Sequence, residues 1–443
     1  VTPTMDRHAA DLVRDQAIAV DWSRGVGPIL DLIGDARVVL IGEATHGTHE
    51  FYHTRAHITQ ALVASRGFSI VALEADWPDA ARASRWVRGD GADLTADEAL
   101  ADFVRFPRWM WRNRVMVRFL EWLRDHNSKQ DAARRVGVYG LDLYSLHRSM
   151  DAVLRYLDRI DPVAAARARA RYACFELFGD DPHAYGHAAT RGLAPSCERE
   201  AIAQLVELQR RAADYASRDG RVAADEYFSA EQNARVVSDA ESYYRVMFGG
   251  GRESWNLRDR HMMSTLEAVV DHVTRLNGSA RAVVWAHNSH LGDARATHMA
   301  LQGELNVGQL ARERFGRDVL SIGFTTHTGS VTAANNWDEP AELKAVRPSL
   351  PGSYERLFHD TGLPAFVLDL RGPAREVLSQ PRLERAIGVI YRPATERHSH
   401  YFIASLANQF DLVIHYDDTR AVEPLELWAG HDVDLPETWP SGV

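Results

Sequence analysis

Cysteine is almost missing from this chain: Cys174 and Cys197 are the only two in 443 residues. So few exclude a disulfide framework or a cysteine-rich zinc site, and they fit a reducing cytoplasm. Lysine is equally scarce, with Lys129 and Lys344 the only two among 51 basic residues, a usage that follows genome composition and assigns no function. No apolar run approaches the roughly 20 residues that span a bilayer. The opening stretch VTPTMDRHAADLVRDQAIAV is too charged for a signal-peptide core. A cytoplasmic protein without a membrane partner is therefore expected. Positive charge is also outweighed, 51 basic against 61 acidic residues for a net −10, which disfavours a grip on phosphate backbones and hence a nucleic-acid partner. Finally, there is no G-x-S-x-G elbow, no P-loop and no G-x-G-x-x-G opening a helix. Neither a serine nucleophile of that kind nor a cofactor is expected.

What is present is globular: 45% hydrophobic and 25% charged residues, with no linker-like or low-complexity tract. Short β-branched runs recur at Arg37 to Gly42, Ser69 to Leu73, Val136 to Leu141, Ala282 to Ala286, Val319 to Phe324, Ala365 to Leu370, Ala386 to Ile390 and Leu412 to Tyr416. Helical patterns separate the early ones, at Glu50 to Ser65, Pro78 to Val87 and Arg114 to His126. This alternation predicts an α/β fold with a mostly parallel central sheet flanked by helices. Between 145 and 276 the strand signal vanishes. The pattern there is charged and helical, broken at Asp161-Pro162, Gly179 to Pro182, Gly192 to Pro195 and Gly249 to Gly251. The chain thus divides into a first part of the core with an N-terminal helix (1–144), a large helical insertion (145–276) and a second part of the core (277–443).

Ligands of open α/β sheets bind beyond the carboxyl ends of the strands. The first run is followed by Gly42-Glu43-Ala44-Thr45-His46, the second by Glu74-Ala75-Asp76-Trp77, the third by Asp142 and the fourth by His287-Asn288-Ser289-His290. Four strand ends deliver carboxylates and imidazoles to one rim. Arg55 adds to them. On a helix of about 100° per residue it lies within about 60° of Phe51, Ile58 and Leu62. An arginine on that apolar stripe is costly unless a carboxylate pairs with it, and Glu43 and Glu74 are the nearest candidates. Its alternative is to snorkel to water.

With no nucleophile motif in reach, the attacking group of a hydrolase here is water. Activation needs a base that titrates near neutrality, for which a histidine held by carboxylates is the usual solution. His46 can serve, oriented by Glu43 or Glu74. His287 or His290, with Arg55, can bind the developing oxyanion or protonate the leaving alcohol. The segment His49-Glu50-Phe51-Tyr52-His53 formally matches the zinc-protease pattern H-E-x-x-H, but His49, His53 and His57 lie about 160° to 240° from Phe51 and face away from the core. No metal is assigned there.

The segments GEATHGTHEFYHTR, GFSIVALEADWPDA, FPRWMWRN, YGLDLYS, WNLRDRHM, WAHNSHL and YRPATERHSHY together resemble the erythromycin esterase family, in order and spacing from about Val38 to Tyr416. The resemblance implies hydrolysis of a macrolide lactone ester by activated water without a covalent intermediate, an activity tied to antibiotic resistance. It implies essential roles for Glu43, His46, Arg55, Glu74 and His287, with His46 the base and His290, Arg258 and Asp259 lining the cleft. Asp76 and Trp77, following the second strand, are added as substrate-binding candidates for a bulky ester or lactone. Trp109, Trp111 and Trp255 could also face it. Two readings remain beside this one: a metal-dependent hydrolase with Glu43, His46 and His287 as ligands, and a non-catalytic binder of haem or another small molecule, since haem-binding lipoproteins and metal-dependent membrane proteases resemble the chain distantly.

Overall fold

The four apolar residues Val38 to Ile41 form a strand buried on both faces, as expected of a strand that carries helices on either side. In the computed structural model, which describes residues 3–20, 25–179, 181–216, 220–248 and 251–426, this strand lies near the middle of a nine-stranded sheet. Its strands are β1 (Ile18–Ala19), β2 (Val38–Ile41), β3 (Ile70–Asp76), β4 (Gly137–Asp142), β5 (Ala282–Trp285), β6 (Val319–Ala333), β7 (Glu342–Val346), β8 (Ala365–Asp369) and, after a separate pair, β11 (Leu412–Thr419). The order is β1-β8-β11-β6-β2-β5-β3-β4, with β7 added alongside β6. The run from β11 to β4 is parallel throughout; β8 joins β11 antiparallel, and β7 joins β6 antiparallel. The fold is α/β with a mostly parallel sheet.

Alternation along the strands divides the core. Val39, Ile41, Val71, Leu73, Val283 and Trp285 face helices α1 (His49–Arg66) and α3 (Arg114–Ser128). Val38, Leu40, Ile70, Ala72, Ala282 and Val284 face Met262, Met263, Leu266 and Val269 of α4 (Gly251–Asn277). Between these lies α2 (Trp77–Arg88), which follows β3. From Leu146 to Asn277 the described residues contain helices and no strand, and those before α4 bury a cluster of their own around Val153, Leu157, Tyr172, Phe175 and Val237. Two of the expected breaks, Gly179 to Pro182 and Gly249 to Gly251, fall partly outside the described residues.

The run Ala386 to Ile390 is not a sheet strand. It touches β structure only through isolated bridges, Ile387 to Thr45 and Ile390 to Ala334, because it crosses over the strand ends, where the Ile387 amide donates to the Ala44 carbonyl at 2.8 Å. The extended pair in that region is β9 (Arg382–Arg385) with β10 (Tyr401–Ala404). Cys174 and Cys197 are joined, with Cα atoms 6.0 Å apart. One bridge is not a framework, but it removes the support that unpaired cysteines lent to a reducing compartment. No helix among the described residues is long and apolar enough to cross a membrane.

Candidate active site

The turn after β2 is packed against backbone. A Cβ on Gly47 would lie 1.9 Å from the Thr332 carbonyl oxygen, so any larger residue would displace the loop that carries Glu43 and His46. Glu43 is fully buried. Its Oε1 accepts from His46 Nδ1 at 2.8 Å, and its Oε2 lies 2.6 Å from Arg55 Nη2. The guanidinium is equally buried, 4.4 Å from the centroid of Tyr52 and 5.1 Å from that of Trp285. It forms no aligned hydrogen bond, so charge and the two aromatic faces hold it. The Tyr52 hydroxyl reaches the carbonyls of His46 (3.0 Å) and Met110 (2.7 Å), pinning the loop to α1. With Nδ1 engaged by Glu43, the other ring nitrogen of His46, which lines the cleft, is free of that contact.

A second charge network stands on the ends of β3, β4 and β5. Glu74 Oε1 accepts from Arg258 Nη2 at 2.7 Å and lies 3.4 Å from His290 Nε2, while Oε2 accepts from the His287 amide at 2.8 Å. Arg258 also grips Asp142 through Nε (3.0 Å) and Nη2 (2.6 Å), a bidentate fork. His290 Nδ1 lies 2.9 Å from Asp259 Oδ1, and its ring stacks on Trp255 at 4.5 Å. Burial alone would raise the Glu74 carboxyl, but His290, Arg258, His46 and the His287 amide outweigh it and hold the group well below the usual carboxylate range. For His290 burial works against protonation, yet Asp259 and Glu74 prevail and raise it.

His287 joins the two networks. Its ring centroid is 4.9 Å from that of His46. The Ser289 amide donates to its Nδ1 at 3.2 Å, with the Ser289 hydroxyl at 2.8 Å. Nδ1 is therefore an acceptor and the proton sits on Nε2. Burial first, then the neighbouring His46, pushes His287 down to about 3, so it is a neutral donor at neutral pH. Its Nε2 is buried without an aligned partner, close to the Ala44 carbonyl.

These groups line a cleft of about 390 Å³ whose walls include His46, Glu74, Asp76, Trp111, Tyr144, Trp255, Arg258, His287 and His290. Glu43, Arg55 and Asp259 do not line it and stand behind His46 and His290. Asp76 lies at the rim, its Oδ2 accepting from Arg105 Nε at 2.9 Å. Trp77 is not brought to the cleft: it packs against Tyr139 and Phe228 on the other side of α2 and its Nε1 donates to Ser229 at 3.2 Å. The chain reverses its facing there because β3 runs on through Asp76 before the helix starts. Trp109 is buried and lines no part of the cleft, whereas Trp111 and Trp255 do.

Among the titratable groups lining the cleft, Arg105, Tyr144 and Asp79 were not foreseen. Asp79 is pushed up to about 8 by burial and by Asp76 despite Arg148 at 2.7 Å. Asp79 lies one helical turn beyond β3, the only signal available for it. His49, His53 and His57 form a half-buried stack on α1, none of them at the cleft. Among the described residues, the group of three His, Asp or Glu side chains whose ligand atoms gather within 4.8 Å is His327, His359 and Asp417. Glu43, His46 and His287 do not form such a group.

The erythromycin esterase family pattern matches residues 63–419. The chain belongs to the erythromycin esterase family. The matched segment contains Glu74, Arg258 and His287, while Glu43, His46 and Arg55 precede it. Erythromycin esterase type II of Escherichia coli is 23% identical over 322 residues, covering 69% of this chain and 73% of that protein. Among solved structures, a Bacillus cereus protein superposes with a TM-score of 0.78 at 19% identity over 95% of this chain and 99% of the other. A mutant of the erythromycin esterase EreC in its open conformation superposes with a TM-score of 0.64 at 18% identity, over 92% and 97%. At these identities the structures establish the fold, and family membership places the chain among hydrolases of that family.

Proposed function

We propose that the chain hydrolyses a bulky carboxylic ester or macrolactone with water activated by His46 and without a covalent intermediate. The observation that carries this is the Glu43–His46 pair, 2.8 Å apart with Nε2 facing the cleft. His46 Nε2 takes a proton from water as it attacks the ester carbonyl. The Nε2–H of neutral His287, beside the Ala44 carbonyl in the ground state, turns to the oxyanion as charge develops. His46 then returns the proton to the departing alkoxide. Glu43 orients His46, and Arg55, 2.6 Å from the Glu43 carboxylate, holds Glu43 in place; both are positioning residues. The aromatic walls Trp111, Tyr144 and Trp255 suit a large, largely apolar substrate. Erythromycin-like macrolides are the first class to try, given the names of the relatives, and turnover of one would make the protein a resistance enzyme.

The test is a panel of macrolides, simpler lactones and aryl esters, with the wild type and His46→Ala compared at matched folding. Loss of turnover by about 10²- to 10⁴-fold is expected, with one ¹⁸O from labelled water in the acid product of a single turnover and no acylated protein by mass spectrometry. Unchanged turnover in His46→Ala, or an acyl-enzyme, would sink the reading.

A further inference from the structure

Strands β6 and β11 run side by side, with Thr325 opposite His415 and Thr328 opposite Asp418. Side chains alternate along each strand, so Thr325 and His327 of β6 share a face with His415 and Asp417 of β11. The helix α5 (Tyr354–His359) packs on that face through Phe358, 5.4 Å from the His415 ring, and its last residue brings a third imidazole. His359 Nδ1 lies 2.8 Å from Asp417 Oδ1, the His327 and His359 rings stack at 3.7 Å, and His415 Nε2 is 3.6 Å from the same Asp417 oxygen. None of the four residues lines the catalytic cleft.

Mutual hydrogen bonding accounts for only part of this cluster, the contact of His359 with Asp417. His327 Nδ1 is held by the Ser349 hydroxyl at 2.6 Å and His415 Nδ1 by the Thr325 hydroxyl at 2.9 Å. Fixing one ring nitrogen in this way is how proteins present the other to a metal. His415 is fully buried, and its Nε2 meets only Asp417 Oδ1, at 3.6 Å, longer than a normal hydrogen bond, so its demand is poorly met.

We propose that His327, His359 and Asp417, with His415 as the buried fourth group, bind one divalent first-row transition-metal ion, of which Zn²⁺ is the natural candidate. The donor set is mainly imidazole with one carboxylate, which suits zinc and disfavours the all-oxygen sites of Mg²⁺ and Ca²⁺. The ligand atoms of the first three lie within 4.8 Å of one another, and tetrahedral zinc needs neighbouring ligands about 3.3 Å apart. Half-exposed His359 closes that gap by turning out of the stack, its proton passing through solvent from Nδ1 to Nε2, so that Nδ1 and the Asp417 oxygen both turn to the ion. The ion ties β6, β11 and α5 together, away from the hydrolytic residues.

The full chain, stripped with chelator, is titrated with Co²⁺ and read by visible absorption, then with Zn²⁺ and read by thermal unfolding. One equivalent of Co²⁺ with ligand-field bands is expected, together with a Zn²⁺-dependent rise in Tm. Both should vanish in His359→Ala and in Asp417→Asn and persist in His53→Ala and His46→Ala. Ser349→Ala should weaken binding by about 10- to 100-fold. No bound Co²⁺ or Zn²⁺ in the wild type, binding that survives both ligand substitutions, or binding lost in His53→Ala instead would overturn the proposal. Since far-UV circular dichroism checks the folding of each variant, His359→Gln replaces any that fails.

Discussion

Glu43 and Glu74 are the same residue type, each next to an arginine and a histidine, yet the two settings do different work. Glu43 and Arg55 are both fully buried, and of the three residues Glu43, Arg55 and His46 it is His46 that lines the cleft. Glu74 shares Arg258 with Asp142, and the arginine side chain keeps 14% exposure at the cleft wall. The first network is sealed and meets the cleft at one imidazole. The second is broad, distributes charge over Glu74, Asp142, Arg258, His290 and Asp259, and faces the cleft through Glu74, Asp142, Arg258 and His290. A sealed pair fixes one imidazole, whereas an open network can respond to what binds. The difference lies in burial rather than in residue types.

The sharpest way to break this comparison is to remove each arginine. Arg55→Ala strands Glu43 where water cannot reach it, and loss of one partner of a buried pair costs about 3–5 kcal/mol. Arg258→Ala leaves Glu74 its amide and His290 contacts and lets cleft water replace the guanidinium, so a smaller loss, of about 1–3 kcal/mol, is expected. Urea unfolding at pH 7 measures both. Equal losses would mean that burial does not separate the networks.

Acid titration sharpens it further. In the folded chain His287 stays neutral down to about 3, against 6.5 for an ordinary histidine. Between those values the unfolded chain binds a proton that the folded chain does not, so stability falls as pH falls through the window, by up to about 1.4 kcal/mol per pH unit for one proton. Glu74, held well below its ordinary value of 4.5, adds to the loss only below that pH, where the unfolded carboxylate protonates first. His287→Asn should flatten the slope between pH 6.5 and 4.5, and Glu74→Gln only the limb below. A His287→Asn slope equal to that of the wild type would contradict the neutral, buried His287.

How much of this was legible in the sequence depends on whether the cause was local. Strands β2 to β5 announce themselves as apolar runs, and the polar residues at their ends stand where the ends of parallel strands must place them. Arg55 could be placed by helical angle alone. Strand β9 could not be read: its residues Arg382, Glu384 and Arg385 are buried charges, extended because β10 pairs with them and not because their side chains favour it. Trp77 shows the opposite error, since adjacency to a strand end says nothing about which way a residue faces once a helix begins. The Arg258 fork to Asp142 spans 116 positions, and the α4 helix that delivers it can be aligned with β4 only in three dimensions. Arg105 and Arg148 were invisible for the same reason.

The smallest expected effect tests the part of the sequence that looks most like a catalytic motif. His53 sits between His49 and His57, with ring centroids 5.7 Å and 4.1 Å away, and burial together with those neighbours pushes it down to about 4. It is thus neutral at working pH and stacked, the state of a packing residue, and Glu50 of the same motif is engaged by Arg420 at 2.9 Å. Substituting His53 by alanine removes half-buried surface on the outer side of α1 and touches nothing in the cleft, so turnover should stay within about twofold and stability within about 1 kcal/mol. The comparison with His46→Ala is direct, because the two imidazoles lie seven positions apart. A loss of turnover in His53→Ala approaching that of His46→Ala would mean that the face of α1, and not the turn before it, carries the chemistry.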